Sequence, residues 1–298
     1  MIAIVGATGA LGGDVARRLL AAGTPVVAIT RNAAKAAHLR VLGAEVRVAD
    51  LTAPRSLAGA VRGAEAVFAA AHSLLGRGKY ISARVDDAGH RALVDAARAE
   101  GVGHFVYTSV LGASPAHPVA FWRRKFGIEE HLKASDLSYT ILRPAAFMET
   151  HAHELLGTAI MAGKPAVIFG RGDQPVNFVA VRDVATFAVL ALTSAGARGL
   201  TIEIGGPGNP TRKEVAALYA RLSGRPLATR HLGPGALRFL AVALRPFHPG
   251  ISDVLRMGAE LETIDQSFDA AETLVRFPTS LTPIETFVRE RVEAARSH

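Results

Sequence analysis

Short apolar runs alternate with amphipathic stretches along the first third of the chain. Met1 to Val5 (MIAIV) is apolar and rich in β-branched residues, the composition of a buried strand. Leu11, Val15, Leu19 and Leu20 then recur at helical spacing, with Arg17 and Arg18 on the opposite face. Pro25 to Thr30 (PVVAIT) predicts a second strand, Ala33 to Leu42 an Ala-rich helix, and Glu45 to Ala49 a third, alternating strand. Pro54 to Arg62 predicts a short helix with proline in its first turn, and Ala66 to Ala71 a fourth buried strand. His72 to Tyr80 predicts a loop, Ala83 to Ala99 a long amphipathic helix, Gly103 to Ser109 a fifth strand and Tyr139 to Arg143 a sixth. Strands joined by helical crossovers give an α/β fold: a Rossmann-like doubly wound parallel sheet.

The second half is patterned less regularly. Ala166 to Phe169 and Val176 to Ala180 predict short strands around Gly170-Arg171-Gly172-Asp173. A helix follows from Arg182 to about Leu192, then a strand over Leu200 to Ile204. Thr211 with Glu214 forms a capping box for a helix to Ser223. Leu227 to Leu232 predicts a strand, Gly235 to Leu244 an apolar helix ended by Pro246 and Pro249, and Thr282 to Ala295 a terminal helix. Phe239, Leu240, Val242 and Leu244 fit packing under the lobe, with a substrate lid or contact with a lipid-like quinone as alternatives. The expected division is a nucleotide-binding domain over 1–150 with a sheet-return segment at about 174–195, and a smaller α/β substrate lobe over 151–298.

Composition narrows the chemistry. With 298 residues and 49% hydrophobic content, the chain can build a full core. It has no cysteine, which excludes disulfides, thiolate catalysis and cysteine metal sites. No secretory signal or membrane-length apolar run is visible, so a cytoplasmic location is expected. The net charge is +8, consistent with an anionic partner such as a phosphorylated cofactor, or with an Arg-rich solvated surface. No basic run is interleaved with aromatics, which argues against nucleic acid.

Gly6, Gly9 and Gly12 lie between the first strand and the first helix. Glycine permits the tight turn and leaves no side chain between backbone and ligand; the helix N-terminus then offers unpaired N–H groups to a diphosphate. The bland alternative is a tight turn without a ligand. At the end of the second strand stands Thr30-Arg31-Asn32, with Lys35 one turn on and no carboxylate until Glu45. A carboxylate there suits a ribose 2′-OH and a cation suits a 2′-phosphate, so NADP is expected over NAD; otherwise both cations are ordinary surface residues. Asp50 and Leu51 close the third strand near the adenine, although Asp50 also suits a helix cap. Ala70, Ala71 and His72 lie on the expected cofactor path, and Tyr80 is a substrate-contact expectation in a loop that also carries Arg77 and Lys79.

GATGALGG, ITRNAAKA, VADLTAPRSLAGAVRG, VDDAGHRALVDAARAEGVGHFVYTSVLGAS and LSYTILRPAAFME together resemble an atypical short-chain dehydrogenase/reductase. The similarity is to the NmrA-like, NAD(P)H-binding branch and its quinone reductases, and runs nearly collinearly from Met1 to about Leu192. It implies cofactor contacts from Gly6, Thr8, Gly9, Ala10, Leu11, Gly12 and Lys125, and from Pro144 and Phe147 beside the nicotinamide. It makes Ser109 and Lys125 the catalytic positions, with Phe121 and Met148 as substrate contacts. Most of the superfamily places a tyrosine four residues before the lysine; this chain has Phe121 there. A phenylalanine cannot donate a proton. Three outcomes follow: Lys125 is itself the acid/base, as an isoflavone-reductase-like branch implies; the acceptor is quinone-like; or the cofactor is held without turnover, as in redox sensors or complex-assembly proteins. The bland alternatives make Lys125 a surface lysine, Phe121 and Trp122 core, Ser109 a backbone partner and Tyr107 a core aromatic. His151 and His153 are not at helical ligand spacing and no third ligand follows, so no metal is expected. The expected partner is a small-molecule substrate; a homodimer is left open.

Overall fold

A computed structural model describes residues 1–297. In chain order the elements are β1 (Ile2–Val5), α1 (Ala10–Ala21), β2 (Val26–Thr30), α2 (Ala37–Val41), β3 (Glu45–Val48), α3 (Leu57–Val61), β4 (Ala66–Ala69), α4 (His90–Ala99), β5 (His104–Thr108), α5 (Ala120–Lys133), β6 (Tyr139–Pro144) and β7 (Ala146–Phe147). There follow α6 (Thr158–Met161), β8 (Ala166–Phe169), β9 (Phe178–Val179), α7 (Val181–Thr193), β10 (Leu200–Ile204), α8 (Arg212–Ser223), β11 (Thr229–Leu232), α9 (Pro234–Leu244), α10 (Pro249–Leu261), α11 (Ala271–Arg276) and α12 (Ile284–Arg296).

The chain divides into two compact units: Met1–Arg143 with Val184–Ile202, and Pro144–Asp183 with the chain from Glu203 onward. The first is built on a seven-stranded sheet of order β10-β6-β5-β4-β1-β2-β3. Pairings through β1 to β6 are parallel. β1, β2, β4 and β5 are buried along their whole length, which explains why they read as unbroken apolar runs. The strand order reverses between β1 and β4, so the loops after these two strands flank the crevice where ligands bind in open α/β sheets.

Two expected helices are interrupted. Ala33 to Leu42 divides into a 3-10 turn, Ala33–Ala36, and the short α2. Ala83 to Ala99 opens with a π-helical segment, Arg84–Gly89, before regular α4 begins. There the His90 Nδ1 lies 2.7 Å from the Val85 carbonyl oxygen, so a side chain shares the hydrogen bonding of the widened turn.

In the second unit β8 pairs with β11 and β7 with β9, each as a two-stranded parallel ladder. The strand expected over Val176 to Ala180 shrinks to Phe178–Val179. Its neighbour Asn177, 1% exposed, accounts for this: the side-chain amide bonds to Gly206 O, Gly208 O, Asn209 Oδ1 and Phe268 O, and accepts from Gly206 N–H. The capping box of α8 forms between Thr211 and Glu214. Pro249 does not merely end a helix; it opens α10, where proline suits the first turn and the His248 ring accepts from Ile251 N–H. A core of Met148, Leu156, Ile160, Phe178, Val215, Tyr219 and Val288 joins this unit's ladders to α8 and α12, and Leu237, Ala241, Leu255 and Ala259 join α9 to α10.

Candidate functional site

The turn after β1 is shaped by contact and not by propensity alone. Gly6 has φ +90°, and a Cβ there would come within 2.8 Å of Ala71 N at the end of β4. A Cβ on Gly12 would sit 2.4 Å from Gly6 O, so this glycine lets α1 approach the strand end. Gly9 differs: its Cβ would meet only Gly6 O at 3.3 Å. Thr8, Gly9 and Ala10 are exposed and Leu11 is buried beneath them. Gly9 is the N-cap of α1, with no side chain capping it and no acidic residue in its first turn. The helix therefore presents its first N–H groups and its positive end to an open floor, which fits a diphosphate. Ala70, Ala71 and His72 continue from β4 beside this floor, with Ala70 and Ala71 half-buried and His72 exposed.

The ends of β2 and β3 form a cationic corner. Arg31 and Lys35 are both exposed. The Arg31 guanidinium lies 4.3 Å from the Tyr80 ring centroid. Tyr80 donates its hydroxyl to Asp50 Oδ2 at 3.1 Å, and Lys79 reaches the same oxygen at 3.4 Å. Asp50 Oδ1 accepts from Thr52 N–H and Oγ–H. Partial burial pushes the Asp50 carboxyl up, but these hydrogen bonds outweigh it and hold the group below its ordinary value. Asp50 thus folds its own turn and anchors Tyr80, while Leu51 is buried and presses against Gly89. Tyr80, expected with the substrate, is placed with Arg31 and Asp50 because its hydroxyl is tied to that carboxylate.

A buried polar cluster occupies the C-terminal end of β5. Lys125, on α5, is 3% exposed, which overturns the surface-lysine alternative. Its ammonium donates to Thr108 O at 2.9 Å and lies 4.9 Å from the Tyr107 ring and 5.5 Å from the Phe121 ring. Burial pulls the Lys125 ammonium below its ordinary value, and the Asp86 and Glu129 carboxylates resist that fall. Asp86, fully buried, accepts the Ser73 N–H on both oxygens at 3.1 and 3.2 Å. Glu129, also fully buried, is gripped by Arg143 at 2.6 and 3.0 Å and accepts the Ser109 hydroxyl. Ser109 is thus not simply a backbone partner: its proton is committed to Glu129 and its oxygen lone pairs remain.

Three buried polar atoms around this cluster have no partner: His90 Nε2, Tyr107 Oη and Thr108 Oγ1. Burial, with the charge of Lys125 second, pushes His90 down to about 4. His90 is therefore neutral at physiological pH; its Nδ1–H faces the Val85 carbonyl, leaving Nε2 as an acceptor. Unsatisfied buried groups beside a desolvated lysine mark a place built for a polar ligand or bound water. Phe121 is half-buried one turn before Lys125 and, with Trp122, lines the start of α5. Trp122 donates to Leu111 O at 2.8 Å and stacks on His117 at 5.0 Å between ring centroids.

In the second unit, Pro144 is buried at the end of β6 and Phe147 is half-buried in β7. Met148 is 1% exposed and packs with Phe178 and Tyr219 in this unit's core. The π-helical segment Met148–Gly157 begins at this residue and carries the side chain inward. Among the described residues no group of histidine and acidic side chains is arranged to hold a metal, and His153 instead pairs with the Tyr219 hydroxyl.

Asp86, Glu129 and His90 were not picked out from the sequence, yet two signals point to them. Glu129 stands four residues after Lys125, on the same face of α5. Asp86 stands four before His90 and seven before Leu93, at helical spacing on a buried face.

Comparison with known proteins bears on this arrangement. An NAD(P)H azoreductase of Xenophilus azovorans is 32% identical over 229 residues, covering 76% of this chain and 75% of that protein. Photosystem II assembly factor Ycf39 of Guillardia theta is 29% identical over 294 residues, covering 96% and 92%. The crystal structure of an NADPH-dependent quinone oxidoreductase from Escherichia coli, complexed with NADPH, superposes with a TM-score of 0.78 at 29% identity, covering 99% of this chain and 100% of that one. The NmrA-like family pattern matches residues 1–273, and the chain belongs to the NmrA-like family.

Proposed function

We propose that this protein is an NADPH-dependent oxidoreductase that reduces a small conjugated acceptor, a quinone or enone in preference to a simple carbonyl. The observation that carries the reading is Lys125: a desolvated ammonium beside Asp86 and Glu129, with Phe121 where a proton-donating phenol would stand. The backbone from Gly6 through Thr8, Gly9, Ala10 and Leu11 to Gly12 would hold the diphosphate. Arg31 and Lys35 would pair with a 2′-phosphate, Asp50 and Leu51 would border the adenine, and Ala70, Ala71 and His72 would line the path between. Lys125 would hold the nicotinamide ribose. When bound, NADPH supplies a hydride.

The missing phenol selects the acceptor. Hydride added to a quinone leaves a phenolate, whose conjugate acid has a pKa of about 10. Hydride added to a simple ketone leaves an alkoxide, with a pKa nearer that of water, about 16. The phenolate needs only electrostatic support and a weak proton source. The Lys125 ammonium supplies both from a dry position, where a fixed charge counts for more than in water. Ser109, its proton turned toward Glu129, accepts a hydrogen bond and so suits a ligand group that carries a proton, such as a cofactor hydroxyl or the O–H of the reduced product; Phe121 forms an apolar wall.

The test is NADPH oxidation across quinones, enones and aldehydes, repeated with Lys125→Ala. Turnover on quinones that falls roughly 10²- to 10⁴-fold in the variant supports the reading. Tight NADPH binding without turnover on any acceptor would overturn it. That second reading, a cofactor-binding protein that acts on a protein partner, shares the absence of a proton-donating phenol at Phe121, and the Ycf39 relatives are described as assembly factors.

A further inference from the structure

Helix α9 is apolar on two sides. Its inner stripe, Leu237 and Ala241 with Leu240 and Leu244, packs against Leu255 and Ala259 of α10. Its outer stripe was expected to pack as well, and it does not: Phe239 is 72% exposed and Val242 66%. Ala236 and Ala243 lie on the same outer face, and Phe247, just beyond the helix, is 77% exposed. A surface helix normally shows polar residues on the side away from its core, and exposed aromatic clusters mark interaction surfaces.

The charge around this stripe identifies what covers it. Helix α9 and the turn after it carry Arg238 and Arg245 and no Asp or Glu, while α10, packed on the inner side, carries Asp253 and Glu260. Arg238 and Arg245 are seven residues apart and flank the stripe on one side. Arg238 reaches Glu260 at 3.3 Å; Arg245 is exposed and makes no ion pair among the described residues. A protruding apolar ridge bordered by arginines matches the boundary between lipid headgroups and acyl chains, where aromatics enter and guanidinium groups meet phosphates. A second copy docked through the same face about a two-fold axis would bring like-charged arginines together. No helix among the described residues is long and apolar enough to cross a membrane, so the association is with the surface only.

We infer that α9 and the turn through Phe247 form a peripheral membrane-docking surface that binds anionic phospholipid. The inference is independent of the cofactor and of any turnover. It is tested by flotation of the full chain with vesicles of phosphatidylcholine containing roughly one third phosphatidylglycerol, against vesicles of phosphatidylcholine alone. The wild type floats with the anionic vesicles and is released by high salt. Phe239→Ser with Phe247→Ser lowers the bound fraction roughly tenfold or more, and Arg245→Glu lowers it severalfold. Both changes lie on exposed side chains, and unchanged thermal melting shows that the variants fold. No flotation of the wild type, equal flotation of the serine variant, or equal binding to neutral vesicles would each overturn the inference. So would a wild-type dimer in sedimentation velocity that the serine variant converts to monomer, because a second copy would then cover the face.

Discussion

At the residue scale the site turns on how a buried ammonium keeps its charge. Desolvation pulls Lys125 down, and Asp86 and Glu129 act the other way. Asp86→Asn removes one support, so the protonated form is lost at lower pH. The alkaline limb of kcat/KM is then expected to move to lower pH, while an unmoved limb would remove Asp86 from the account. At the other end of the site, Arg31 is the exposed cation nearest the β2 terminus. On the proposed NADPH reading, Arg31→Ala should lower the ratio of NADPH to NADH affinity roughly tenfold, read from the two dissociation constants; an unchanged ratio would remove Arg31 from that reading. Some of this was legible in sequence and some was not. The lysine and the absent phenol are visible as letters four apart. The commitment of Ser109 to Glu129 is not, because it depends on Arg143 arriving from β6 to grip the same carboxylate. The packing of Met148 was not legible for a related reason: it follows Phe147 directly, but the chain enters a π-helical turn there and the side chain joins the core.

At the element scale the strand–turn–helix at the N-terminus assigns its glycines different tasks. Gly12 is a packing residue, and Gly9 is floor. Gly12→Ala should cost about 1–3 kcal/mol in urea unfolding because its methyl would meet a backbone oxygen that cannot rotate away. Gly9→Ala, whose methyl would lie 3.3 Å from the same oxygen, should cost less than Gly12→Ala in unfolding and weaken NADPH binding more. Equal effects at both positions in both measurements would show that the glycines are not divided in this way. The central strands were readable since each is apolar throughout, and the capping box of α8 since its residue types are local. The breaks were not. The change from α to π winding at Arg84–Gly89 involves the His90 ring, a contact without a sequence period. Pro249 reads equally as an ending or a beginning, and only the His248 cap decides.

At the scale of the whole molecule, buried neutral histidine makes folding sensitive to acid. His90 lies at about 4 in the folded chain against an ordinary 6.5. Between those values the unfolded chain binds the proton and the folded chain does not. The stabilisation is therefore complete above 6.5 and is lost as pH falls toward 4, on the order of 3 kcal/mol for a shift of this size. Urea midpoints taken at about pH 7 and about pH 4.5 should differ accordingly, and His90→Asn should flatten the difference. An identical pH slope in the variant would show that other groups set it. The parallel sheet was legible because it rests on repeated local units. The second unit was less so: Asn177 ties its own strand to the stretch around Gly206–Asn209 and to Phe268, and such long-range fastening has no local signature.

Trp122 is the chain's only tryptophan, and it stands three residues before Lys125 with its indole against His117. The molecule thus carries a built-in optical probe at the head of the helix that supplies its central cation. Whatever alters that turn, whether ligand entry or a change in the charge of the stacked imidazole, registers in a single emission band with no label attached.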